Sequence, residues 1–160
     1  MPRLSVCHAW HNRRVSIDYL ASQERAIAAA DVRRLYDGAG WWPKWDVAGI
    51  KRAIDSTIAV GAWDGERLVG FARALSDGEH RAYIEDVVID PGYRGQGIGE
   101  KIVAWLVKQL GDVHIVSLFC EPERVNFYAR NGFRPSKTQV MMHRELGSAA
   151  TPGVPNRAFE

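Results

Sequence analysis

The sequence DPGYRGQGIG, residues 90–99, places four glycines between two apolar segments. The preceding segment, RAYIEDVVID (81–90), is rich in β-branched residues and has no helical period, which predicts a strand. The following segment, GEKIVAWLVKQL (99–110), has apolar residues at helical spacing. The first amides of a helix lack intrahelical partners, and glycine lets a ligand approach the backbone closely. A strand, a glycine loop and a helix in this order therefore predict an anion-binding site.

The glycine spacing matches neither of two common phosphate-binding motifs. A dinucleotide fingerprint requires GxGxxG, whereas Gly97 and Gly99 are followed by Ile102 at the place of the third glycine. A Walker A loop requires Gly-Lys-Ser/Thr, and here the chain continues Gly99-Glu100-Lys101. On the loop alone, a tight turn that binds nothing is an equal alternative, because glycine turns are common.

Outside the loop, strand-like and helix-like segments follow one another along the whole chain. Ser22 is predicted to cap a helix over 23–38, ending at Gly38 or Gly40, and Asp46 to cap a second helix through about Ser56. Two further helices are predicted at 99–110 and 122–131. Strands are predicted at 14–21, 57–63, 66–75, 81–90 and 113–120, with one or two more in 133–146. The order β-α-α-β-β-β-α-β-α-β predicts an α+β domain, a mixed sheet flanked by helices.

The composition is that of a globular protein with one domain. The chain has 160 residues, 46% of them hydrophobic and 25% charged, and a net charge of +2, too mild to predict nucleic acid as a partner. No apolar run is long enough for a membrane span, and neither a CxxC nor an HExxH is present, so we expect no membrane, no disulfide framework and no metal. We expect a domain over residues 14–146, an N-terminal tail at 1–13 without a signal peptide, and a disordered tail at 147–160. The expected location is the cytoplasm.

Two motifs make the sequence specific. VVIDPGYRGQGIGEKIVAWLV (87–107) resembles the acyl-CoA-binding motif of the GNAT superfamily of N-acetyltransferases, [QR]xxGx[GA], matched here by Arg94, Gly97 and Gly99. VNFYARNGF (125–133) resembles the second hallmark of that family, a helix with FY followed by GF. The resemblance covers roughly residues 15 to 145, including a central hairpin at 68–78, and is closest in the half that carries these motifs.

The resemblance implies a GNAT fold with acetyl-CoA as the acetyl donor. In such a fold the mostly antiparallel sheet splays between the strands at 81–90 and 113–120, and the gap admits the acyl arm. The resemblance implies that the pantetheine arm pairs with the backbone of Val87, Val88 and Ile89. It also implies that loop amides hold the CoA pyrophosphate, at Arg94, Gly95, Gln96, Gly97, Ile98 and Gly99. A side chain at Gly97 or Gly99 is expected to crowd that approach.

Acetyl transfer to an amine needs a base and an acid. An alkylamine has a pKa near ~10 and is mostly an ammonium at neutral pH, so a base or a water chain must free it. Tyr128 matches the family position of the donor to the leaving thiolate; its alternative is a core aromatic beside Phe127. For the base, the strand offers Glu85 and Asp86, of which only one can face the acceptor unless a bulge intervenes. The resemblance of IEDVVI to the corresponding strand of glucosamine-6-phosphate N-acetyltransferases ranks Glu85 first. The aspartate that aralkylamine-type members keep at the Asp86 position ranks Asp86 second, and ordered water is third. Cys120 as an acetyl-carrying nucleophile ranks below direct transfer, because no histidine is spaced to pair with it.

The acceptor is predicted to lie against the tryptophans between the first two helices. Trp41, Trp42 and Trp45 suit the face of an aromatic amine or a sugar, and the alternative for each is packing on the sheet. The preferred function is therefore a small-molecule N-acetyltransferase of the aralkylamine or amino-sugar type. The alternatives are a protein lysine or N-terminal acetyltransferase, and a module that binds acyl-CoA without turnover. We also expect a homodimer formed through 138–146.

Overall fold

The fold is built on one five-stranded sheet with helices on both faces. The computed structural model describes residues 16–143. The strands, in sheet order, are β1 (Ile17–Ala21), β2 (Ile58–Asp64), β3 (Arg67–Ser76), β4 (Arg81–Ile89) and β5 (Ile115–Leu118). The helices are α1 (Ala29–Ala39), α2 (Val47–Asp55), α3 (Ile98–Gln109) and α4 (Val125–Ala129). This is the α+β architecture that the sequence predicts.

The sheet opens where β4 and β5 diverge. The first four strands pair antiparallel, and β5 pairs parallel to β4. That parallel pairing joins Arg81–Ile84 to Ile115–Leu118 and stops there, so β5 does not accompany β4 beyond Ile84. The predicted splay between these two strands is confirmed, and it leaves a gap beside the second half of β4.

Two apolar cores fix the helices to the sheet. On one face, α1 and α2 pack through residues such as Tyr36 and Ile50 against Phe71. On the other face, α3 packs through Ile102 and Leu106 against β2, β3 and β4. Because both α3 and β4 are anchored in this second core, the glycine loop that joins them has its two ends held in fixed positions.

The N-terminal helix begins later than predicted. Ser22 does not cap a helix, since its amide donates to the carbonyl of Ala59 at 2.9 Å and extends the pairing of β1 with β2. The Glu24 carboxylate accepts from the amide of Ala21 at 2.9 Å within the turn that follows β1. Helix α1 starts at Ala29, and it ends at the left-handed Gly40, one of the two predicted stops.

Other local predictions are confirmed. The Asp46 carboxylate accepts from the amide of Gly49 at 2.6 Å and caps α2, a bond that contributes about 1 kcal/mol in typical helices. The hairpin between β2 and β3 turns at Gly65, where φ is +57°. Helix α3 starts within one residue of the predicted 99–110, while β5 is half as long as the predicted 113–120.

The predicted strands in 133–146 are wrong for the residues that the structure describes. Over 133–143 the chain forms no regular element. The Ser136 hydroxyl accepts from the amides of Thr138 and Gln139 at 3.3 and 3.0 Å, taking donors that a strand would offer to its neighbour. Residues 144–146 and the predicted tails at 1–13 and 147–160 lie outside the described residues, so the domain boundaries stay predictions.

Within residues 16–143, no helix has the length and apolar character needed to cross a bilayer.

Candidate active site

A cleft of about 680 Å³ lies in the gap between β4 and β5. Its walls are the second half of β4, the glycine loop with the start of α3, and α4 with the turn before it. The volume is in the range of small-molecule and cofactor sites. The cleft therefore brings together both sequence motifs, although seventeen residues of chain separate them.

The glycine loop presents backbone to this cleft. Gly95 and Gly97 have φ of +76° and +75°, a region that side chains other than glycine rarely adopt, and nothing lies within 4 Å of where their Cβ atoms would be. Gly97 is the N-cap of α3, and the Lys101 amide is bonded to the Gly97 carbonyl at 3.2 Å. The amides of the first helical turn precede Lys101 and are the unpaired donors of a helix start, which suits an anionic ligand.

Gly99 has a different reason to be glycine. A Cβ at this position would lie 3.1 Å from the ring of Phe127, which packs over it from α4. The absence of a side chain therefore lets α4 approach α3, and Tyr128 on the same helix is brought to the cleft. The crowding of a ligand by a side chain at Gly99 stays a prediction.

Asp90 anchors the start of the loop. Its carboxylate accepts from the Gly92 amide at 3.0 Å, from Arg67 at 2.8 Å and from Arg34 of α1 at 3.2 Å. Burial of Asp90 opposes ionisation, but the hydrogen bonds from Arg67 and Gly92 and the charges of the two arginines outweigh it and lower the pKa of the carboxyl. The carboxylate thus joins α1 and β3 to the loop, a role that the sequence did not reveal.

We expect Asp90→Asn to lower the free energy of unfolding at neutral pH by about 1–2 kcal/mol, the range for hydrogen bonds to a charged group with partly exposed partners. A carboxyl whose folded pKa is lowered stabilises the protein above its unfolded pKa of ~3.9, and that stability is lost as the pH falls through the folded pKa. The stability of the variant should therefore fall less steeply with pH below ~5 in chemical denaturation. Asp55→Asn, which removes an exposed pair with Lys51, is the control. Equal slopes for Asp90→Asn and the parent would contradict this assignment.

Tyr128 stands in the cleft as a neutral phenol. Its ring makes edge contacts with Phe127 at 4.8 Å and Phe133 at 6.2 Å between centroids, which fixes its orientation. Burial and the nearby Cys120 raise the pKa of Tyr128 to about 12, against a small opposing effect of Arg124. The hydroxyl is therefore protonated at neutral pH and able to donate to a ligand in the cleft.

Cys120 also lines the cleft and is exposed. Burial and the charge of Glu121 raise the pKa of its thiol, so the neutral thiol is the main form near pH 7. Since the thiolate is the nucleophilic form, these surroundings disfavour a covalent acetyl-cysteine.

The two acidic candidates are separated by a β-bulge. In the pairing of β3 with β4, Arg73 alone faces both Glu85 and Asp86, and the register shifts by one residue there. As a result, Ile84 packs in the core beneath α3, whereas Asp86, two residues on, points to α1 on the opposite face. Glu85 lines the cleft. Burial of the Tyr83 phenol and the nearby charge of Glu85 raise the pKa of that tyrosine, so Tyr83 is neutral beside the carboxylate.

Asp86 is the centre of a cluster that we call the Asp86 cluster: Tyr36, Trp42, Arg73 and Asp86. Trp42 is 39% exposed, and the other three are buried. The carboxylate accepts from the Tyr36 hydroxyl at 2.8 Å, from Arg73 Nε at 2.6 Å and from Trp42 Nε1 at 3.1 Å. Asp86 and Arg73 are 2% and 6% exposed, so the ion pair is shielded from water. Three donors therefore use the carboxylate of Asp86, whereas Glu85 faces the cleft.

The tryptophan loop, residues 40–46, contributes one wall of the cleft. Trp41 lines the cleft, while Trp42 and Trp45 stack on each other at 4.9 Å and Trp45 packs on Tyr36. The Arg33 guanidinium of α1 donates to the carbonyls of all three tryptophans. Of the three predicted acceptor-binding residues, only Trp41 lines the cleft, and Trp42 and Trp45 do not.

The sheet order, the divergence of β4 from β5 and the glycine loop at the start of α3 are the features expected of a GNAT fold. The model of the Acetyltransferase (GNAT) family matches residues 15–133, and the chain belongs to this family. The resemblance on the two sequence motifs is thereby confirmed. Members of the family use acetyl-CoA.

The curated relatives include proteins of red algae and plants. A protein of Gracilaria tenuistipitata var. liui, named uncharacterized N-acetyltransferase ycf52, is 39% identical over 110 residues, covering 64% of this chain and 60% of that protein. Histone acetyltransferase TAP1 of Glycine max is 32% identical over 117 residues, covering 64% of this chain and 50% of that protein. The chain thus spans between half and two thirds of the length of these relatives.

Solved structures show the same fold. A probable acetyltransferase of Staphylococcus aureus superposes with a TM-score of 0.71 at 23% identity, covering 82% of this chain and all of that one.

Proposed function

We propose that this chain is an N-acetyltransferase that moves an acetyl group from acetyl-CoA directly to a primary amine, most favourably one carried on a small molecule. One observation carries the proposal. Glu85, a carboxylate on β4, and Tyr128, a neutral phenol on α4, both line the cleft beside the glycine loop. A base for the amine and an acid for the sulfur are the two groups that the reaction needs.

The cleft fits the donor that the family uses. Unpaired amides at the start of α3 suit the pyrophosphate of CoA, and the side chains of Arg94, Arg124 and Arg130 border the same region with positive charge. Beyond Ile84, β4 has no partner strand on this side and offers its backbone at Val87–Ile89 to the pantetheine arm. Gly95, Gln96 and Ile98 complete the proposed binding segment with Gly97 and Gly99.

In the proposed reaction, Glu85 takes a proton from the acceptor ammonium, directly or through a water. The free amine nitrogen then forms a bond to the thioester carbonyl carbon, and the carbon–sulfur bond breaks. The nitrogen of the adduct loses its second proton to solvent, and the departing thiolate takes the phenolic proton of Tyr128. Tyr128 then regains a proton from solvent, and Glu85 releases to solvent the proton that it took. No acetyl-enzyme forms, because the amine attacks the thioester itself. Asp86 and ordered water are the second and third candidates for the base.

The acceptor end of the cleft combines aromatic rings with acidic groups. Trp41 and Phe119 line it, and the Phe119 ring packs on Tyr83 at 4.9 Å between centroids. Together with Glu85, these rings suit an ammonium attached to an aromatic or sugar body. We therefore propose an aralkylamine or an amino sugar as the acceptor class.

A protein acceptor is the second candidate. It is favoured by the relative named histone acetyltransferase TAP1, and by the carboxylates of Glu85 and Glu121 in the cleft, which suit a lysine ammonium. A homodimer and a cytoplasmic location stay predictions of the sequence.

The function is tested by acetyl-CoA titration in a calorimeter followed by a thiol-release assay. The assay panel is 2-phenylethylamine, glucosamine 6-phosphate and a lysine-containing peptide. Turnover highest with either small amine supports the preferred function, and turnover confined to the peptide supports the second candidate. Binding of acetyl-CoA without turnover of any amine would leave only a non-catalytic acyl-CoA module.

We expect Gly97→Val to abolish acetyl-CoA binding in the same titration. Valine at φ +75° is strained by about 1–3 kcal/mol and forces the loop out of the conformation that presents its amides. Gly65→Val is the matched control, since Gly65 also has a positive φ, +57°, and open space around its Cβ position, but lies in the β2–β3 turn. The control should lose similar stability and keep its acetyl-CoA affinity. Parental acetyl-CoA affinity in Gly97→Val would show that the loop does not bind CoA.

A further inference from the structure

We infer that Asp86 is a positioning residue that holds the tryptophan loop in place as the acceptor wall, and that it acts through Trp42. The inference deepens the proposed function and rests on it. Its basis is the Asp86 cluster, in which a buried carboxylate on the bulge of β4 bonds the indole of Trp42. Neither the glycine loop nor the thioester end of the cleft takes part in this cluster.

The first step is the chemistry of the Asp86 carboxylate. Oδ2 accepts from Tyr36 and Arg73, and Oδ1 accepts from Trp42, so both oxygens are engaged by donors inside the protein. Asp86 does not line the cleft, so its carboxylate is not offered directly to an amine bound there. With Arg73 bonded to it in a shielded site, the carboxylate is suited to hold a structure in place.

The second step is the backbone of the tryptophan loop. Trp42 has φ of +50°, and it is the one residue other than glycine with a positive φ between residues 16 and 143. A bulky residue keeps such a conformation only where its surroundings hold it. Two sets of contacts do so: the Asp86 carboxylate bonds the indole, and Arg33 bonds the carbonyls of Trp41, Trp42 and Trp45.

The third step is the position of the cluster relative to the cleft. Asp86 follows Glu85, the proposed base, directly in the sequence, and Trp42 follows Trp41, which forms the aromatic wall. One hydrogen bond therefore joins the two walls between which the acceptor is proposed to bind. Loss of that bond removes one of the two sets of contacts that hold the loop at its strained residue. Trp41 is then held less firmly by Arg33 alone, while the donor end stays as it is.

Two variants separate this role from a merely structural one. Trp42→Phe keeps an aromatic ring to stack on Trp45 and removes the indole N–H. In Asp86→Asn, one carboxylate oxygen becomes an amide N–H₂, which cannot accept a hydrogen bond. If the remaining oxygen stays with Arg73, the N–H₂ faces the indole N–H of Trp42, and that hydrogen bond is lost. Because Asp86→Asn also leaves Arg73 without its counter-charge and can impair folding, Trp42→Phe alone suffices for the test. Trp105→Phe, a tryptophan on α3 that does not line the cleft, is the control.

The experiment uses the full chain with 2-phenylethylamine as the acceptor probe. We expect Trp42→Phe to raise the KM for the amine about tenfold, with kcat and the Kd for acetyl-CoA within about twofold of the parent. Folded Asp86→Asn should do the same and keep the parental pH profile. In ¹⁵N–¹H spectra, the indole N–H signal of Trp42 is identified as the one that is missing in Trp42→Phe. We expect the proton that gives this signal to exchange with water more slowly in the parent than in Asp86→Asn. Trp105→Phe should change none of these values.

An unchanged KM for the amine in Trp42→Phe would overturn the inference while leaving the proposed function intact. So would an Asp86→Asn variant that loses kcat and recovers it at high pH, because that is the behaviour of a base. A parent that binds acetyl-CoA and turns over none of the panel amines would overturn the proposed function and this inference with it.

Discussion

Replacing Tyr128 by phenylalanine should lower kcat by about 10²–10⁴-fold, the usual contribution of one well-placed general acid. The change removes a single oxygen and keeps the ring that packs on Phe127 and Phe133. The thiolate then leaves without a proton donor, whereas the contacts proposed to bind acetyl-CoA are untouched. The Kd for acetyl-CoA, measured by calorimetry, should stay within about twofold of the parent.

The pKa of Tyr128 adds a second expectation. Because burial raises that pKa to about 12, the phenol stays protonated through pH 10, and the rate of the parent should show no decline from Tyr128 ionisation up to that pH. Tyr19→Phe is the matched control, since Tyr19 is a partly buried tyrosine on β1 outside the cleft. Parental kcat in Tyr128→Phe would remove Tyr128 from the mechanism.

The same assay separates direct transfer from a cysteine route. Cys120→Ala should keep most of the activity, because the Cys120 thiol has a raised pKa and is mostly neutral. An inactive Cys120→Ala variant, together with an acetyl-cysteine trapped by mass spectrometry, would show that the acetyl group passes through the enzyme.

The parts of the fold that the sequence predicts best are those specified by local chemistry. The glycine loop, the cap at Asp46 and the turn at Gly65 depend on backbone conformations and bonds available only to a few residue types. The start of α1 and the segment after Phe133 were predicted wrongly. At Ser22 the backbone amide is bonded to the carbonyl of Ala59, and at Ser136 the side-chain hydroxyl accepts from the amide of Thr138. Hydrophobic periodicity along the sequence does not reveal either hydrogen bond.

The candidate site depends on a feature that has no local signal. A strand pattern assigns residues to alternate faces, and under that rule Ile84 and Asp86 share a face. The bulge at Glu85 breaks the alternation, and it exists because β3 supplies one residue, Arg73, against two of β4. Which carboxylate faces the cleft is therefore decided by the pairing of strands and by the arginine opposite them, and neither can be read from the segment itself.

The assignment of Glu85 as the base is tested by Glu85→Gln, which should reduce kcat/KM at pH 7 by about 10²–10⁴-fold. At pH 7 only about one in a thousand molecules of an amine with a pKa near ~10 is free, so removal of the ammonium proton falls to the base. As the pH rises toward ~10 the free amine becomes abundant, and the reaction no longer needs the base that the variant lacks. The ratio of parental to variant activity should therefore shrink steadily with rising pH, in thiol-release assays with 2-phenylethylamine.

Glu121→Gln, a change at an exposed carboxylate that also lines the cleft, should keep the parental profile. If Glu85→Gln also keeps the parental pH profile, then Asp86 or ordered water is the base, and the assignment of Glu85 fails while that of Tyr128 stands.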